Sequence, residues 1–259
     1  MHFDILTLFP EIIAPYIQAS IMQRAISNKI IDINLHNLRD WATDKHHTTD
    51  DTPFSGGGGM VMKPEPIFAA VEDLLKENDP CPIVLMTPQG RQLDHAVALE
   101  LSKKHRLIIL CGRYEGVDER VRAHLVTDEI SIGDYVLSGG ELPALVVMEA
   151  VTRLLPGALG DPKGAIDDSF ANGLLEYPHY TRPAVFRKWN VPDILTSGDH
   201  KAVNRWRKKQ AWLRTLQKRP DLIGVIQLSS VDVEILREID LEGELNLPEK
   251  IKNIILGEK

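Results

Sequence analysis

The sequence is poor in cysteine and has no long apolar run. Its two cysteines, Cys81 and Cys111, do not form a CxxC pair, so we expect reduced, buried thiols of a cytoplasmic protein and neither a disulfide nor a zinc site. No stretch approaches the roughly 18 uninterrupted apolar residues that a membrane helix needs. No basic region followed by an apolar region marks a secretory signal near Met1. No membrane partner is expected.

Several common catalytic motifs are also missing. No GxGxxG follows the first predicted strand, and neither a nucleophile elbow nor HExxH occurs, which excludes the commonest dinucleotide-binding, hydrolase and metalloprotease classes. Ser55–Gly59 resembles a phosphate loop, but no Gly-Lys-Ser/Thr follows it, so only a flexible loop over a binding site stays open. His46, His47, Asp50 and Asp51 lack the usual zinc spacings, and a polar loop is preferred to a metal site.

The composition is that of an ordinary globular protein with an uneven charge distribution. Its 259 residues, 43% hydrophobic and 26% charged, suit one large domain or two smaller ones. The net charge is −7, yet residues 182–219 carry eleven bases against two acids, 11 − 2 = +9. Residues 221–259 carry nine acids against four bases, or −5. A polyanion therefore has a local target on an acidic chain.

The first two-thirds of the chain alternate apolar runs with amphipathic stretches, which predicts an α/β domain with a mostly parallel sheet. The predicted strands are Phe3–Phe9, Ile30–Leu35, Ile83–Met86, Leu107–Cys111 and Val126–Ile132. The predicted helices are Pro10–Asn28, Glu65–Lys76, Asp94–Lys103, Val117–Leu125, Leu142–Leu155, Ala202–Gln217, Val231–Glu238 and Pro248–Ile255. The periodicity fails between Gly157 and Pro178, which indicates a linker or mobile loop before a small helical domain.

Glycine interrupts the segment Cys111–Pro143 at three places. Gly112 follows an apolar run, Gly133 follows a second one, and Gly139-Gly140 precedes a predicted helix. Glycine allows the backbone to approach a ligand closely and to adopt conformations that side chains forbid. The segment therefore predicts a pocket lined by main chain, which can bind an adenine edge without charged side chains.

Two charged residues outside this segment have both a structural and a catalytic interpretation. Asp168, in the linker beside Asp167, suits a general base, or else a solvated loop acid or helix N-cap. Arg153 lies in the last turn of a predicted helix. Its positive charge either interacts favourably with the helix dipole or stabilises negative charge on a substrate oxygen. Spacing alone favours the structural interpretation of each.

The predicted helix Ala202–Gln217 interleaves tryptophans with basic residues. Trp206 and Trp212 lie among its charges. Such a helix is typical of a nucleic-acid-binding face, and the alternative is a solvated face whose tryptophans point into the core. The excess of bases favours nucleic-acid binding.

Several long motifs occur in an order that resembles one known family. They are Pro88-Gln89-Gly90, CGRYEGVDERV from Cys111, SIGDYVLSGGELP from Ser131, and Asp168-Ser169-Phe170 with the segment Pro178–Pro183. Together they resemble the bacterial tRNA (guanine-N1)-methyltransferases of the SPOUT superfamily over nearly the whole chain. One departure is that the family's glycine-rich loop usually starts Tyr-Gly-Gly-Gly, where this chain has Phe54-Ser55-Gly56-Gly57.

The resemblance implies a SPOUT fold, with a mostly parallel α/β sheet, a deep C-terminal trefoil knot and a small helical C-terminal domain. It implies an S-adenosylmethionine-binding domain over residues 1–160, a linker over 161–177 and a tRNA-binding domain over 178–259. The implied contacts to S-adenosylmethionine are Pro88, Gly90, Gly112, Tyr114, Glu115, Ile132, Gly133, Asp134, Tyr135, Val136, Leu137, Gly139, Gly140 and Pro143.

The implied reaction methylates N1 of guanosine at position 37 of tRNA, next to the anticodon. By the resemblance, Asp168 is the general base and Arg153 balances charge spreading onto the guanine O6. A homodimer with active sites at the subunit interface and a requirement for Mg²⁺ are also implied, although no metal ligand is assigned. The alternatives are a knotted methyltransferase acting on another RNA site and an RNA-binding module whose pocket is regulatory.

Overall fold

The computed structural model describes residues 1–75, 80–161, 164, 168–243 and 247–256. The chain forms two compact units, residues 1–162 and residues 163–259. None of the helices in these described ranges is both long and apolar enough to cross a membrane.

The first unit is built on a five-stranded parallel sheet. Its strands are β1 (His2–Thr7), β2 (Asp32–Asn37), β5 (Ile83–Gln92), β6 (Arg106–Cys111) and β7 (Asp128–Ser131), in the order β2-β1-β6-β5-β7. Every pairing in it is parallel. The central strand β6 is a nearly continuous buried apolar run, as a parallel strand covered on both faces requires. The predicted α/β class with a parallel sheet is confirmed.

In the described part of the first unit, six helices cover the two faces of this sheet. They are α1 (Pro10–Ile17), α2 (Ser20–Ser27), α3 (Pro64–Leu74), α4 (His95–Ser102), α5 (Glu119–His124) and α6 (Glu141–Arg153). On one face Phe3 and Ile109 pack with residues of α1, α2, α4 and α6. On the other, Leu6 and Leu110 pack with residues of α3 and α5. Alternate residues of β1 and β6 therefore serve two separate cores.

Two predicted elements are wrong in extent. Pro10–Asn28 is two helices, because the backbone is extended at Ala19 and Ser20 has a φ of 51°. The strand predicted at Ile83–Met86 continues to Gln92, after a break in its pairing with β7. The two-residue strand β3 (Asp50–Asp51), which pairs antiparallel with β4 (Val61–Met62), was not predicted. The end of the helix predicted at Glu65–Lys76 lies outside the described residues.

The second unit is mainly helical. Its helices are α7 (His200–Lys218), α8 (Ser230–Leu241) and α9 (Glu249–Leu256), and a hairpin of β8 (Val185–Phe186) and β9 (Trp189–Asn190) precedes them. Trp212, Ile235 and Ile251 meet in its core, and Leu174 packs against them. The three predicted helices are confirmed, while the hairpin was not predicted.

A buried carboxylate joins the first strand to its two neighbours. Asp4 of β1 accepts a hydrogen bond from Arg106 of β6 at 2.9 Å, and its other oxygen lies 2.7 Å from Nε2 of His36 on β2. His2 lies 2.9 Å from the same carboxylate. Burial raises the pKa of Asp4, but the hydrogen bonds with His36 and Arg106 outweigh it and lower the pKa to about 2.

We predict that Asp4 makes the stability of the protein sensitive to acid. Because its pKa falls from 3.8 to about 2 on folding, ionised Asp4 stabilises the fold above its ordinary pKa, and this contribution is lost as the pH falls towards about 2. Asp4→Asn should reduce the loss of unfolding free energy between about pH 5 and pH 3 by about 1 kcal/mol. Urea unfolding at both pH values measures this, and an unchanged pH dependence would contradict it.

Candidate functional site

A crevice of about 310 Å³ opens in the first unit, at the carboxyl ends of β5, β6 and β7. This is the edge of a parallel sheet where ligands bind in open α/β folds. Three stretches contribute most of its wall, namely residues 85–89, 112–117 and 130–140. Arg122 of α5 and Pro143 of α6 complete the lining.

The structure brings most of the predicted cofactor-binding residues together in this crevice. Those that line it are Pro88, Gly112, Tyr114, Glu115, Ile132, Gly133, Tyr135, Val136, Leu137, Gly139, Gly140 and Pro143. Gly90 and Asp134 are not among its lining residues. A Cβ on Gly90 would lie 2.3 Å from the carbonyl carbon of Glu129, so this glycine lets β5 approach β7. Whether these residues bind a cofactor stays a prediction.

Close approach of backbone to backbone forms the inner wall of the crevice. The N–H of Gly140 donates to the carbonyl of Gly112 at 2.8 Å. A Cβ on Gly140 would lie 2.7 Å from the Cα of Cys111, a distance that real Cβ atoms do not adopt. Tyr114, on the facing loop, has a φ of 59°, which costs energy for a residue other than glycine. The loops after β6 and β7 are therefore held against each other in one conformation.

A buried carboxylate fixes the same loops from behind. Glu141, the first residue of α6, accepts a hydrogen bond from the Thr7 hydroxyl at 2.7 Å and pairs with Nε of Arg113 at 3.0 Å. The Arg113 guanidinium also donates to the carbonyl of Ser138 at 3.3 Å and lies over the ring of Phe9. These contacts tie the end of β1 to both loops of the crevice.

The thiol beneath the crevice is buried. Cys111 and Cys81 are both buried, as predicted. Burial and the neighbouring Glu141 raise the pKa of Cys111 well above its ordinary value. Its thiol is therefore protonated and does not act as a nucleophile.

Arg122 lies at the outer wall of the crevice and contacts two elements besides its own helix. Its guanidinium donates to Oε1 of Gln89 at 2.7 Å and to the Thr87 hydroxyl at 3.1 Å. It also donates to the carboxylate of Glu129 on β7 at 2.8 Å. Sequence reasoning missed Arg122, because the only nearby signal was Glu119 at helical spacing, which predicts a surface ion pair.

The two predicted catalytic residues belong to different units. Arg153 is the half-buried last residue of α6 in the first unit. Asp168 is half-buried in the second unit, where its carbonyl accepts a hydrogen bond from the N–H of Ala171. Asp167, the alternative base, lies outside the described residues. Both catalytic roles stay predictions.

The histidine-rich loop is held by its own polar groups. Asp44 accepts hydrogen bonds from the backbone of His46 and from both the backbone and hydroxyl of Thr48. His47 contacts the carbonyl of Arg39. In the described ranges no three His, Cys, Asp or Glu side chains form a group that could hold a metal ion. These residues do not fit a Mg²⁺ site, and no role is assigned to the metal.

Much of the positive charge of α7 faces acids of the same unit. Arg205 pairs with Glu238, and Lys209 pairs with Glu242. Lys208 lies 2.9 Å from Asp232, which also accepts a hydrogen bond from the indole N–H of Trp212. Trp212 is buried, so the core alternative is correct for this tryptophan.

Aromatic and basic side chains also lie close together elsewhere in the second unit. Trp206 lies near the exposed Tyr180, and the guanidinium of Arg207 lies over the ring of Tyr177. In the hairpin, Phe186 and Trp189 are 57% and 66% exposed. Arg187 at its turn lies over both rings, with its guanidinium carbon 5.3 and 5.8 Å from their centroids. We call Val185–Asn190 with its exposed side chains the hairpin platform.

The sequence was also compared with known proteins. A family model described as tRNA (Guanine-1)-methyltransferase TrmD matches residues 1–225. A protein of Dehalococcoides mccartyi named tRNA (guanine-N(1)-)-methyltransferase is 56% identical over 240 residues, 92% of this chain and 97% of its own. Proteins of the same name from Moorella thermoacetica and Geobacter sulfurreducens are 54% and 52% identical over 94% of this chain, and over 99% and 100% of their own lengths.

The quoted motifs contribute most of the crevice wall, and the family match extends from them over both units. The chain therefore belongs to the tRNA (guanine-N1)-methyltransferase (TrmD) family.

Proposed function

We propose that the protein transfers the methyl group of S-adenosylmethionine to N1 of guanosine 37 in tRNA, next to the anticodon. The observation that carries the proposal is the crevice at the ends of β5, β6 and β7, where three separate family motifs meet. As a tRNA-modifying enzyme with two buried cysteines, it would work in the cytoplasm.

The crevice suits a nucleoside with a short charged chain. Its volume of about 310 Å³ is at the lower end for small-molecule sites, and backbone of glycine-containing loops forms much of its wall. S-adenosylmethionine would supply a methyl group already activated by a sulfonium centre. Gly112, Gly140 and the stretch Ile132–Leu137 would present main-chain groups to it, and Pro88 and Pro143 would supply apolar surface. A trefoil knot passing through these loops is part of the proposal.

Proton removal is the chemistry left to the side chains. N1 of neutral guanine carries a proton, so its lone pair can form the new N–C bond only as that proton leaves. Asp168 would accept the proton as a general base. The guanidinium of Arg153 would balance the negative charge that spreads onto O6. The remaining contribution is to hold the base against the methyl donor.

We further propose a homodimer that completes each active site at the subunit interface. Support comes from α1 and α6, which pack together and expose apolar side chains. Tyr16 and Ile12 of α1, and Leu142 and Val146 of α6, are all exposed in the single chain. An apolar surface of this kind is typical of an interface between subunits.

The domain assignment is likewise a proposal, with methyl-donor binding in residues 1–160, a linker over 161–177 and tRNA binding in 178–259. The hairpin platform supports the last part, because exposed aromatic rings beside arginine suit stacking with unpaired bases. From Tyr177 to Pro192 the chain has three Lys or Arg residues and no acid.

Methyl transfer to tRNA transcripts tests the function directly. An unmodified transcript with guanosine at position 37 should become labelled from methyl-labelled S-adenosylmethionine, and its adenosine-37 counterpart should not. Equal labelling of the two transcripts, or labelling of neither, would contradict the proposal. Mapping the product as 1-methylguanosine separates it from a ribose methyltransferase.

The base role of Asp168 predicts a selective loss. Asp168→Asn should bind S-adenosylmethionine normally and lose methyl transfer at least about tenfold, which corresponds to about 1.4 kcal/mol in the barrier. Single-turnover rates and calorimetric binding measure the two properties. Asp193→Asn, an exposed acid of the same unit, serves as the matched control. Near-normal turnover of Asp168→Asn would remove it from the base role.

The hairpin platform predicts where charge matters for tRNA affinity. Trp189→Ala should weaken tRNA binding by about 1 kcal/mol or more through lost stacking, and Arg187→Gln should lower both the affinity and its salt dependence. Arg205→Gln removes the same charge from an arginine that pairs with Glu238, and should weaken binding less. Filter binding at two salt concentrations measures this. Equal effects of the two arginine substitutions would contradict the proposal that the hairpin platform binds tRNA.

A further inference from the structure

One wall of the crevice is a stretch of β5 that leaves the sheet. Both Met86 and Arg91 pair with Ile130 of β7, so residues 87–90 bulge out of the ladder between them. Thr87, Pro88 and Gln89 of this bulge line the crevice. Because residues in a bulge lose their ladder hydrogen bonds, other contacts must hold this wall in position.

Arg122 supplies two such contacts from outside the strand. Its planar guanidinium reaches Gln89 and Thr87 of the bulge and Glu129 of β7 at distances between 2.7 and 3.1 Å. Its side chain is only 16% exposed, and its charge-assisted hydrogen bonds to Thr87 and Glu129 are partly buried, whereas the one to Gln89 is exposed. The guanidinium carries five donors in a fixed fork and can bridge acceptors on two strands, whereas the three donors of lysine sit on a single nitrogen.

Glu129 distinguishes a positioning role from direct contact with a ligand. It holds Arg122 from β7 but is not among the residues that line the crevice. A substitution of its side chain can therefore reach a ligand in the crevice only through Arg122 or through the fold. On the same helix, Arg120 is 64% exposed, pairs with the neighbouring Asp118 and does not line the crevice.

We propose that Arg122 is a positioning residue for the methyl donor, which holds the bulge of β5 in the shape that binds it. The inference rests on the proposed function and adds to it a residue that supports the site through Gln89 and Thr87. Because Arg122 already holds this wall in its binding shape, the bulge loses less conformational entropy when the donor binds, and the affinity is higher. Loss of Arg122 should therefore weaken donor binding much more than it slows a saturated enzyme.

The test uses full-length protein and calorimetric binding of S-adenosylmethionine and of its demethylated form, S-adenosylhomocysteine. Arg122→Met should weaken binding of both about tenfold or more, equivalent to about 1.4 kcal/mol. Arg122→Lys should recover only part of this loss, and Glu129→Gln should weaken binding severalfold. In the double variant the two effects should not add, because both act through one contact. Arg120→Met should stay within about twofold of the parent protein.

Kinetics and unfolding separate positioning from general destabilisation. KM for the methyl donor should rise in Arg122→Met while kcat at saturation changes less than about threefold, and urea unfolding should show the variant fully folded under assay conditions. The inference is overturned if Arg122→Met and Glu129→Gln bind like the parent protein, or if a lower folded fraction accounts for the lost affinity. If the parent protein binds neither ligand, the proposed function fails and this inference fails with it.

Discussion

The crevice depends on one buried carboxylate. Glu141 begins α6 and joins the Thr7 hydroxyl, at the end of β1, to the Arg113 guanidinium, in the loop after β6. A buried charge is tolerated only when it is paired and hydrogen-bonded, so separating these groups would destabilise the first unit. Since Arg113 also holds Ser138, the same ion pair fixes both loops that face the crevice. Fold stability and the shape of the site are thus coupled through a single side chain.

Glycine allows the close backbone contacts of these loops, on the side away from Glu141. The backbone at Gly140 approaches β6 so closely that a side chain has no space, and Gly90 has the same role between β5 and β7. These glycines act because they have no side chain, whereas Arg113, Glu141 and Arg122 act through hydrogen bonds and ion pairs. A wall made of main chain needs both, since an unsupported glycine-rich loop would have many conformations of similar energy.

The sequence could predict features that depend on local pattern. Hydrophobic periodicity and the positions of glycine and proline predict the apolar run of β6, the glycine breaks after it and the three helices of the second unit. The structure agrees with them. Features that depend on distant partners could not be predicted. Arg122 contacts residues 33 and 35 positions earlier, and no spacing rule connects them.

Two further features were also missed. The division of Pro10–Asn28 into two helices depends on a positive φ at Ser20, which its residue type does not demand. The motifs of the family did contain Arg113 and Glu141, but an acid in the first turn of a helix is ordinarily explained by the helix dipole. Only the packing of β1 behind that helix reveals that Glu141 is buried and paired.

The pairing of α7 with the acids that follow it has a consequence for counterions. A protein that binds RNA phosphates releases the cations condensed on them, and the number released follows the bases that are available to phosphate. Arg205, Lys208 and Lys209 already have carboxylate partners within the second unit. Each of these bases would have to leave its carboxylate partner to bind a phosphate. The exposed carboxylate would then attract cations itself, so the net number of ions released would change little. A net charge of +9 counted along residues 182–219 therefore overstates how many ions tRNA would release on binding.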